Sequence, residues 1–311
     1  MTQQPPKIIV LGGINMDLVS FSPQFPRPGE TVVGNRFVTY AGGKGANQAV
    51  AAARMGAVSM MVGKVGGDIF GPQLLDGLTA AGVDISGVSV NPDVSSGIAV
   101  IGVDETAQNC ITQILGANDT CGSEQVSAVK RELPEAAVLL LQLETSIVVS
   151  LEVAREAFSV GVPVMLDPGP VRPLPEQFLS FCDVITPNET EAEALVGFPV
   201  TGPESAAKAA SVLLERGVGA AVIKLGSRGA YFADEHHHGI IQPFQVHAMD
   251  SVAAGDAFNG ALAVSLAEGK TLGEGVNIAC AAGGLAVTRT GAQDSMPKRV
   301  SVEDLIRSQR R

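Results

Sequence analysis

The sequence predicts an α/β fold, with a mainly parallel central sheet flanked by helices on both faces and a small β-sheet beside it. Apolar runs of strand length alternate with Ala-rich runs of helix length, which is typical of parallel sheets covered by helices. Two further segments show period-two patterning outside this alternation. Hydrophobic residues make up 46% of the chain, which suffices for one large core. We therefore expect a single domain over residues 1–311.

The main sheet and its helices follow from the apolar runs in chain order. Short apolar runs predict the strands Ile8–Leu11, Ser59–Val62, Val138–Leu141, Val164–Leu166, Val184–Thr186 and Ala221–Leu225. Longer amphipathic runs predict the helices Asn47–Met55, Gln73–Ala81, Ser146–Phe158, Glu204–Arg216, Ala257–Ala267 and Leu272–Val287.

The two exceptional segments predict a small β-layer. Glu30–Tyr40 and Gly97–Leu115 alternate apolar with polar residues, and the second contains a polar turn at Asp104-Glu105-Thr106, as a hairpin would. A layer inserted into an α/β enzyme most economically covers the active site. We therefore expect a lid formed by approximately residues 15–42 and 97–115. The alternative is that both segments are edge strands of the main sheet.

Charge and hydropathy exclude several classes of partner. The formal net charge is −11 and the pI is near 4.8, so the surface repels nucleic acid and anionic lipid, and we expect neither as a partner. No apolar run approaches the ~18 residues of a membrane span. The first residues, Met1–Lys7, lack the apolar stretch of a secretory signal. We therefore expect a cytoplasmic protein.

Polar or Gly-rich residues follow directly on five of the predicted strands. In open α/β sheets, ligands bind beyond the carboxyl ends of the strands, so these residues together predict a large active-site rim. In chain order they are Gly12–Asp17, Gln142 with Glu144, Asp167-Pro168, Pro187–Glu191 and Gly226–Gly229.

Two common nucleotide-binding motifs are missing from the sequence. A P-loop needs G-x-x-x-x-G-K-[ST], but Gly43-Lys44 is followed by Gly45 and has no glycine at the required spacing before it. After the first strand, Ile14 and Asn15 interrupt any G-x-G-x-x-G pattern. The sequence thus argues against a P-loop and against a dinucleotide site of the Rossmann type.

The segment Asp250–Gly260 predicts a phosphate site at the start of a helix. Its small residues allow close approach to the backbone, where free N–H groups hold negative charge. Asp256 lies in the same turn, and we expect the helix dipole to keep it ionised and able to accept a proton. A phosphate cradle and a base in one turn suit phosphoryl transfer to a hydroxyl. The alternative for Asp256 alone is a helix cap.

Five motifs stand in order along nearly the whole chain: Gly42–Ala49, Thr186–Glu191, Leu225–Gly229, Asp250–Gly260 and Ala286–Ala292. They resemble those of the ribokinase family of carbohydrate kinases. The first and fourth motifs together are highly specific, whereas the third alone would be weak. Ala253 stands where many members of the family have glycine.

The resemblance implies a role for each matching residue at the sugar. Asp256 would take the proton from the primary hydroxyl of the sugar. The backbone N–H groups of Ala253, Ala254 and Gly255 would form an anion hole for the migrating phosphoryl group. The residues that would hold the sugar hydroxyls are Asn15, Asp17, Gly43, Lys44, Asn47 and Glu144. Lys44 and Glu144 could instead be surface residues.

The resemblance also implies nucleotide and cation sites. Asn188 and Glu191 match the N-x-x-E motif that organises Mg²⁺, largely through water, although either could be only a helix cap. The other residues that would line the ATP pocket are Lys224, Gly226, Ser227, Gly229, Gly255 and Cys280. A monovalent cation such as K⁺ would be bound, mostly by backbone carbonyls, at Asp250, Val252, Ala286, Arg289, Gly291 and Ser295.

The activity implied is ATP-dependent phosphorylation of D-ribose at the 5-hydroxyl. The alternatives are a kinase of the same fold for 2-deoxyribose, a hexose or a nucleoside, or a sugar- or nucleotide-binding module without catalysis. The family also pairs lid against lid, so we expect a homodimer. Its apolar contact residues would be Val33, Phe37, Ile98, Val100, Ile111 and Ile114.

Overall fold

A nine-stranded sheet forms the centre of the computed structural model, which describes residues 4–106 and 108–309. A separate four-stranded sheet lies beside it. In chain order, the strands are β1 (Lys7–Leu11), β2 (Asn15–Phe21), β3 (Arg36–Gly42), β4 (Val58–Gly66), β5 (Asp84–Asn91), β6 (Gly97–Val103), β7 (Asn109–Ile114), β8 (Val138–Leu141), β9 (Val164–Leu166), β10 (Val184–Ile185), β11 (Ala220–Lys224), β12 (Ala230–Asp234) and β13 (His238–Ile241).

The large sheet is mainly parallel, as predicted. Its strand order is β13-β12-β11-β10-β9-β8-β1-β4-β5, and only the pairings of β12 with β11 and β13 are antiparallel. The six predicted strands are confirmed, with ends shifted by a few residues. The sequence prediction missed β5, β12 and β13. These three lie at the two sides of the sheet, and residues of intermediate or high exposure interrupt their apolar pattern.

Helices cover both faces of the large sheet. They are α1 (Lys44–Arg54), α2 (Phe70–Ala80), α3 (Ser123–Glu132), α4 (Ile147–Ser159), α5 (Glu189–Val196), α6 (Pro203–Glu215), α7 (Ala254–Ala267), α8 (Leu272–Ala286) and α9 (Arg299–Gln309). Alternate residues of β1 enter the two cores: Ile8 and Val10 pack with α1, α7 and α8, while Ile9 and Leu11 pack with α3, α4 and α6. This alternation is the period-two geometry of a strand buried on both faces.

The four-stranded sheet, hereafter the lid sheet, has the order β3-β2-β6-β7. Its strands do not pair with the large sheet, so the alternative of edge strands is wrong. The hairpin β6–β7 is confirmed: the Asp104 carboxylate accepts hydrogen bonds from both N–H and O–H of Thr106. Ala107, the next residue in the sequence, is outside the described residues.

The prediction of a strand over Glu30–Tyr40 is wrong for its first half. The strand begins only at Arg36, because Arg36 pairs with Phe21, the last residue of β2, and earlier residues have no partner strand. Val33 is accordingly 85% exposed. The expected contact residue Ile98 is also corrected, since it packs against the main core, whereas Phe37, Val100 and Ile114 are exposed.

None of the helices in the described ranges is both long and apolar enough to cross a membrane.

Candidate active site

The five polar strand ends singled out in the sequence come together at one edge of the large sheet. Strands β1, β8, β9, β10 and β11 are consecutive neighbours and all parallel, so their carboxyl ends meet. The helix α1 starts at the same edge, directly after Gly43. Gly43 has φ +90°, and a Cβ there would lie 2.6 Å from the carbonyl oxygen of Gly13. Only glycine fits that approach.

Asp256 is buried in the first turn of α7, against α1. Its two carboxylate oxygens each accept one amide hydrogen bond of 2.9 Å, from Asn47 Nδ2 and Gln48 Nε2. Burial raises the pKa of Asp256, and the Lys44 ammonium and the two amide donors only partly oppose this. Burial, which the sequence did not reveal, therefore acts against the helix dipole that was expected to keep this group ionised. A raised pKa makes the carboxylate a better proton acceptor near neutral pH.

Asp167 is a buried carboxylate at the sheet edge that pairs with two ammonium groups. It accepts hydrogen bonds from Lys44 Nζ at 3.0 Å, Lys224 Nζ at 2.9 Å and Gln48 Nε2 at 2.9 Å. Burial opposes its ionisation, but the two ammonium groups outweigh burial and hold its pKa below the ordinary value. Asp167 thus anchors both lysines, and Gln48 links it directly to Asp256.

The N-x-x-E residues form a capping box at the start of α5. Asn188 Oδ1 accepts from the N–H of Glu191, and Glu191 Oε2 accepts from the N–H of Asn188, both at 2.8 Å. The helix-cap interpretation therefore holds for both residues. The other oxygen of Glu191, Oε1, lies 3.7 Å from Lys44 Nζ. One carboxylate oxygen is used by the cap, and the second faces the lysine.

A second pair of acids, Asp17 and Glu144, lies between the lid sheet and α1. Glu144 is 5% exposed, so its interpretation as a surface residue is wrong. Its Oε2 accepts from the Lys44 N–H at 2.7 Å, and its Oε1 accepts from Gln113 Nε2 at 2.6 Å. Burial raises the pKa of Glu144 to about 7. Lys44 is also not a plain surface residue, since its side chain is 26% exposed.

Asp17 differs from Glu144 in having no hydrogen-bond donor among the described residues. Burial, with the Glu144 and Asp256 charges, raises the pKa of Asp17 to about 7. Asn15, which precedes it on β2, is fixed by Asn118: Asn118 Nδ2 donates to Asn15 Oδ1 at 2.7 Å. An unpaired carboxylate beside an oriented amide is suited to binding hydroxyl groups.

The start of α7 offers backbone donors next to Asp256. Ala253, the residue before the helix, has φ +59°, a strained conformation that glycine would adopt more easily. In the described part of the chain, the N–H groups of Ala253 and Gly255 have no acceptor, while that of Ala254 donates to the Ser251 carbonyl at 3.4 Å. Two of the three expected anion-hole groups are thus unpaired.

A cavity of about 510 Å³ adjoins this helix start. Six of the eight residues predicted for the nucleotide line it: Lys224, Gly226, Ser227, Gly229, Gly255 and Cys280. Asn188 and Glu191 lie outside its wall. Its apolar lining was not predicted, because it comes from separate parts of the chain, including Pro243, Phe244, Val246, Phe258 and Val287.

The residues expected to bind a monovalent cation lie in two chain segments, 250–252 and 286–295. The Asp250 carboxylate accepts from the N–H groups of Val252 at 3.0 Å and Gly291 at 3.1 Å, which joins the two loops. The N–H of Arg289 donates to the Ala286 carbonyl at 3.3 Å. Ser295 Oγ donates to the Ala292 carbonyl at 2.8 Å.

Residues 4–106 and 108–309 contain no group of three or more His, Cys, Asp and Glu side chains that could hold a metal ion. Neither expected cation site requires such a group, because one would bind largely through water and the other mostly through carbonyls.

Several site residues were not assigned from the sequence. Asp167 was recognised at a strand end but given no role. Gln48 lies four residues after Lys44, hence on the same face of α1, which is the signal that could have identified it. Gln113 and Asn118 had no such signal, since their partners are distant in sequence.

The chain is similar to known proteins over nearly its whole length. A model of the pfkB family carbohydrate kinases matches residues 5–299. A ribokinase of Haemophilus influenzae is 39% identical over 94% of this chain and 95% of its own. A deoxyribokinase of Salmonella typhimurium is 33% identical over 93% and 95%. The structure of Arabidopsis thaliana ribokinase complexed with ribose and ATP has a TM-score of 0.89 and 32% identity, covering 97% of this chain and 99% of that one.

Replacing Gln48 with Met tests the link between Asp256 and Asp167. Loss of this buried donor should lower the free energy of unfolding by about 1–3 kcal/mol. The loss should be larger at pH 8 than at pH 5, because the bond to Asp256 favours only its ionised form and burial raises the pKa of that carboxyl. Denaturant unfolding at both pH values measures this.

Gln142→Met is the matched control. Gln142 Nε2 donates to Gln48 Oε1 at 2.6 Å but touches neither carboxylate, so its loss should cost the same at both pH values. An equal cost of Gln48→Met at pH 5 and pH 8 would contradict the link.

Proposed function

Because this chain belongs to the pfkB family of carbohydrate kinases, we propose that it transfers the γ-phosphate of ATP to the 5-hydroxyl of D-ribose. The resemblance seen in the motifs is confirmed, and the chain is an ATP:sugar phosphotransferase. One observation carries the proposal: Asp256 lies at the junction of three parts. These are the acidic pocket of Asp17 and Glu144, the unpaired N–H groups of α7, and the 510 Å³ cavity.

The arrangement supports a direct transfer with Asp256 as the base. Ribose would lie with its ring hydroxyls on Asp17, Asn15 and Glu144 and its 5-hydroxyl at Asp256. Asp256 accepts the hydroxyl proton as the sugar oxygen bonds to the γ-phosphorus and the bond to the β-phosphate oxygen breaks. The N–H groups of Ala253 and Gly255 would stabilise the phosphoryl charge.

The two lysines suit the same transfer. Lys224 lines the nucleotide cavity, and its Nζ lies 3.5 Å from the position that a Cβ on Gly255 would take. Lys44 Nζ lies between Asp167 and Glu191, at the sheet edge between sugar pocket and cavity. Both ammonium groups are held by Asp167, so a triphosphate would meet charges that are already oriented.

Ribose is favoured over 2-deoxyribose by the unpaired acceptor in the pocket. Asp17 has no donor among the described residues, and Asn47 Oδ1 is buried without a partner. Such groups select a sugar that supplies hydroxyls, since an analogue lacking one leaves a polar group unpaired. The similarity to a deoxyribokinase keeps 2-deoxyribose as the second candidate. A module without catalysis is disfavoured, because it would not need a base oriented by two amides.

We also propose that ATP is bound with Mg²⁺. Glu191 fits this role, because its Oε2 is occupied by the helix cap whereas Oε1 faces Lys44 and the sheet edge. Bound there, the metal would neutralise phosphate charge. Asn188 would act on it through the cap, by fixing the Glu191 side chain.

The whole chain is proposed to form one kinase domain, with its lid at residues 15–42 and 97–115. We place the protein in the cytoplasm, where ATP is available. Neither nucleic acid nor a membrane surface is expected as a partner, given the net charge of −11.

The substitution Asp256→Asn tests the proposed base. It should lower kcat for ribose by about 10²–10⁴-fold, because general base catalysis is removed. Ribose affinity, measured by calorimetry without ATP, should change little. Asp76→Asn, an exposed acid on α2, is the control and should keep full turnover. Wild-type turnover in Asp256→Asn would rule out this assignment.

Potassium activation is a further part of the proposal. A large cation held by the carbonyls of the 250–252 and 286–295 loops would fix the segment that carries Ala253. Replacing Na⁺ by K⁺ at constant ionic strength should therefore raise kcat. Asp250→Asn should weaken this response, because the carboxylate joins the two loops. Identical rates in Li⁺, Na⁺, K⁺ and Cs⁺ would argue against the site.

The last part of the proposed function is a homodimer formed through the lid sheet. Phe37, Val100 and Ile114 share one face of the lid sheet and are 63%, 43% and 41% exposed, an apolar patch that a second copy would cover. Light scattering should give about twice the 31.9 kDa chain mass. Val100→Glu should shift it toward the monomer, and Val160→Glu, exposed elsewhere, should not. A fully active monomeric wild type would refute the dimer.

A further inference from the structure

Gln113 occupies a special position on the lid sheet. In the register, Gln113 on β7 pairs with Ala99 on β6, and Ala99 pairs with Asp17 on β2. Residues directly opposite each other point to the same face of a sheet, so the three form one row across the lid. Every other residue of β7 is exposed, and only Gln113 is partly buried.

The side chain of Gln113 reaches out of the lid to the acidic pocket. Its Nε2 donates to Glu144 Oε1 at 2.6 Å, on the strand-end segment that follows β8. Its Oε1 has no donor among the described residues. The amide therefore holds Glu144 with its NH₂ group and keeps an acceptor free at the pocket.

The row spans the width of a sugar ring. Neighbouring strands are about 4.8 Å apart, so Asp17 and Gln113 are separated by roughly 10 Å across the lid face. On the strand between them, the row member is the small, buried Ala99. The Glu144 carboxylate lies on the same face, where its Oε1 accepts from Gln113 Nε2 at 2.6 Å and from Asn15 Nδ2 at 3.5 Å. A sugar over Ala99 would thus have Asp17 on one side and the Gln113 amide with Glu144 on the other.

We propose that Gln113 is a specificity-determining residue that accepts a hydrogen bond from one ring hydroxyl of the sugar. The inference rests on the proposed function, and it adds a lid residue to the sugar contacts inferred from the motifs. When the lid covers a sugar that lacks this hydroxyl, the amide oxygen is buried without a donor, which weakens binding. Gln113 thus makes lid closure dependent on the hydroxyl pattern of the sugar.

The test compares the wild type with Gln113→Met, which keeps the length of the side chain and removes the amide. Affinities are measured by calorimetry without ATP for D-ribose and for three analogues that each lack the 1-, 2- or 3-hydroxyl. Ribose should bind about 10-fold more weakly to the variant. One lost hydrogen bond corresponds to roughly a tenfold change in affinity. The analogue that lacks the hydroxyl bonded by Gln113 has already lost this bond in the wild type. Its affinities for the wild type and the variant should therefore agree within about 2-fold.

Thr112→Val is the control, since Thr112 is exposed on the opposite face of the same strand, and it should leave all four affinities unchanged. Equal weakening of all four ligands by Gln113→Met would show that Gln113 only positions Glu144, and would overturn the inference. Unchanged affinities would overturn it as well. A wild type that binds these ligands but phosphorylates none would refute the proposed function instead, and the binding data would still decide the role of Gln113.

Discussion

The buried carboxylates at the edge of the sheet outnumber the ammonium groups that face them. Glu144, Asp167, Glu191 and Asp256 are buried there beside the half-buried Asp17, and in the described ranges Lys44 and Lys224 are the cations paired with them. Burying unpaired charge is costly, so the rest of the site is arranged around this excess. Asp167 accepts from both lysines and Asp256 accepts from two neutral amides, whereas Asp17 has no donor within residues 4–106 and 108–309. The pKa accordingly is low for Asp167 and raised for Asp256 and Asp17.

The carboxylates differ in how far nearby donors offset their charge, and they therefore differ in their chemistry. The fully paired Asp167 is a fixed anchor for the two lysines. Asp256 is held in place but has a raised pKa, which suits a group that must accept and release a proton. Asp17 has no donor among the described residues, whereas each oxygen of Glu144 accepts a neutral hydrogen bond, from the Lys44 N–H and from Gln113. Sugar hydroxyls are ligands that could supply the missing donor at Asp17. Substrate binding would thus relieve a cost that the folded protein carries.

Much of the fold and part of the site could be predicted from local patterns. Several predicted parallel strands are each followed by polar residues, so these residues were expected at one edge of the sheet. This expectation predicted correctly where Asn15, Glu144 and Asn188 lie. The pairing of charges could not be predicted, because Gln48, Gln113 and Asp167 acquire their roles from partners up to 208 residues away. The raised pKa of Asp256 could not be predicted for the same reason: the helix dipole is local, whereas burial depends on the packing of α1 against α7.

The proton balance of sugar binding tests the account most directly. Ribose can be titrated into the protein at pH 7, without nucleotide, in buffers of different ionisation enthalpy. Hydroxyl groups that donate to Asp17 and Glu144 favour the ionised carboxylates, and both have a pKa of about 7. The account therefore predicts a net release of protons, which should disappear in the double variant Asp17→Asn, Glu144→Gln. Ribose binding with no proton exchange, or with proton uptake, would contradict it.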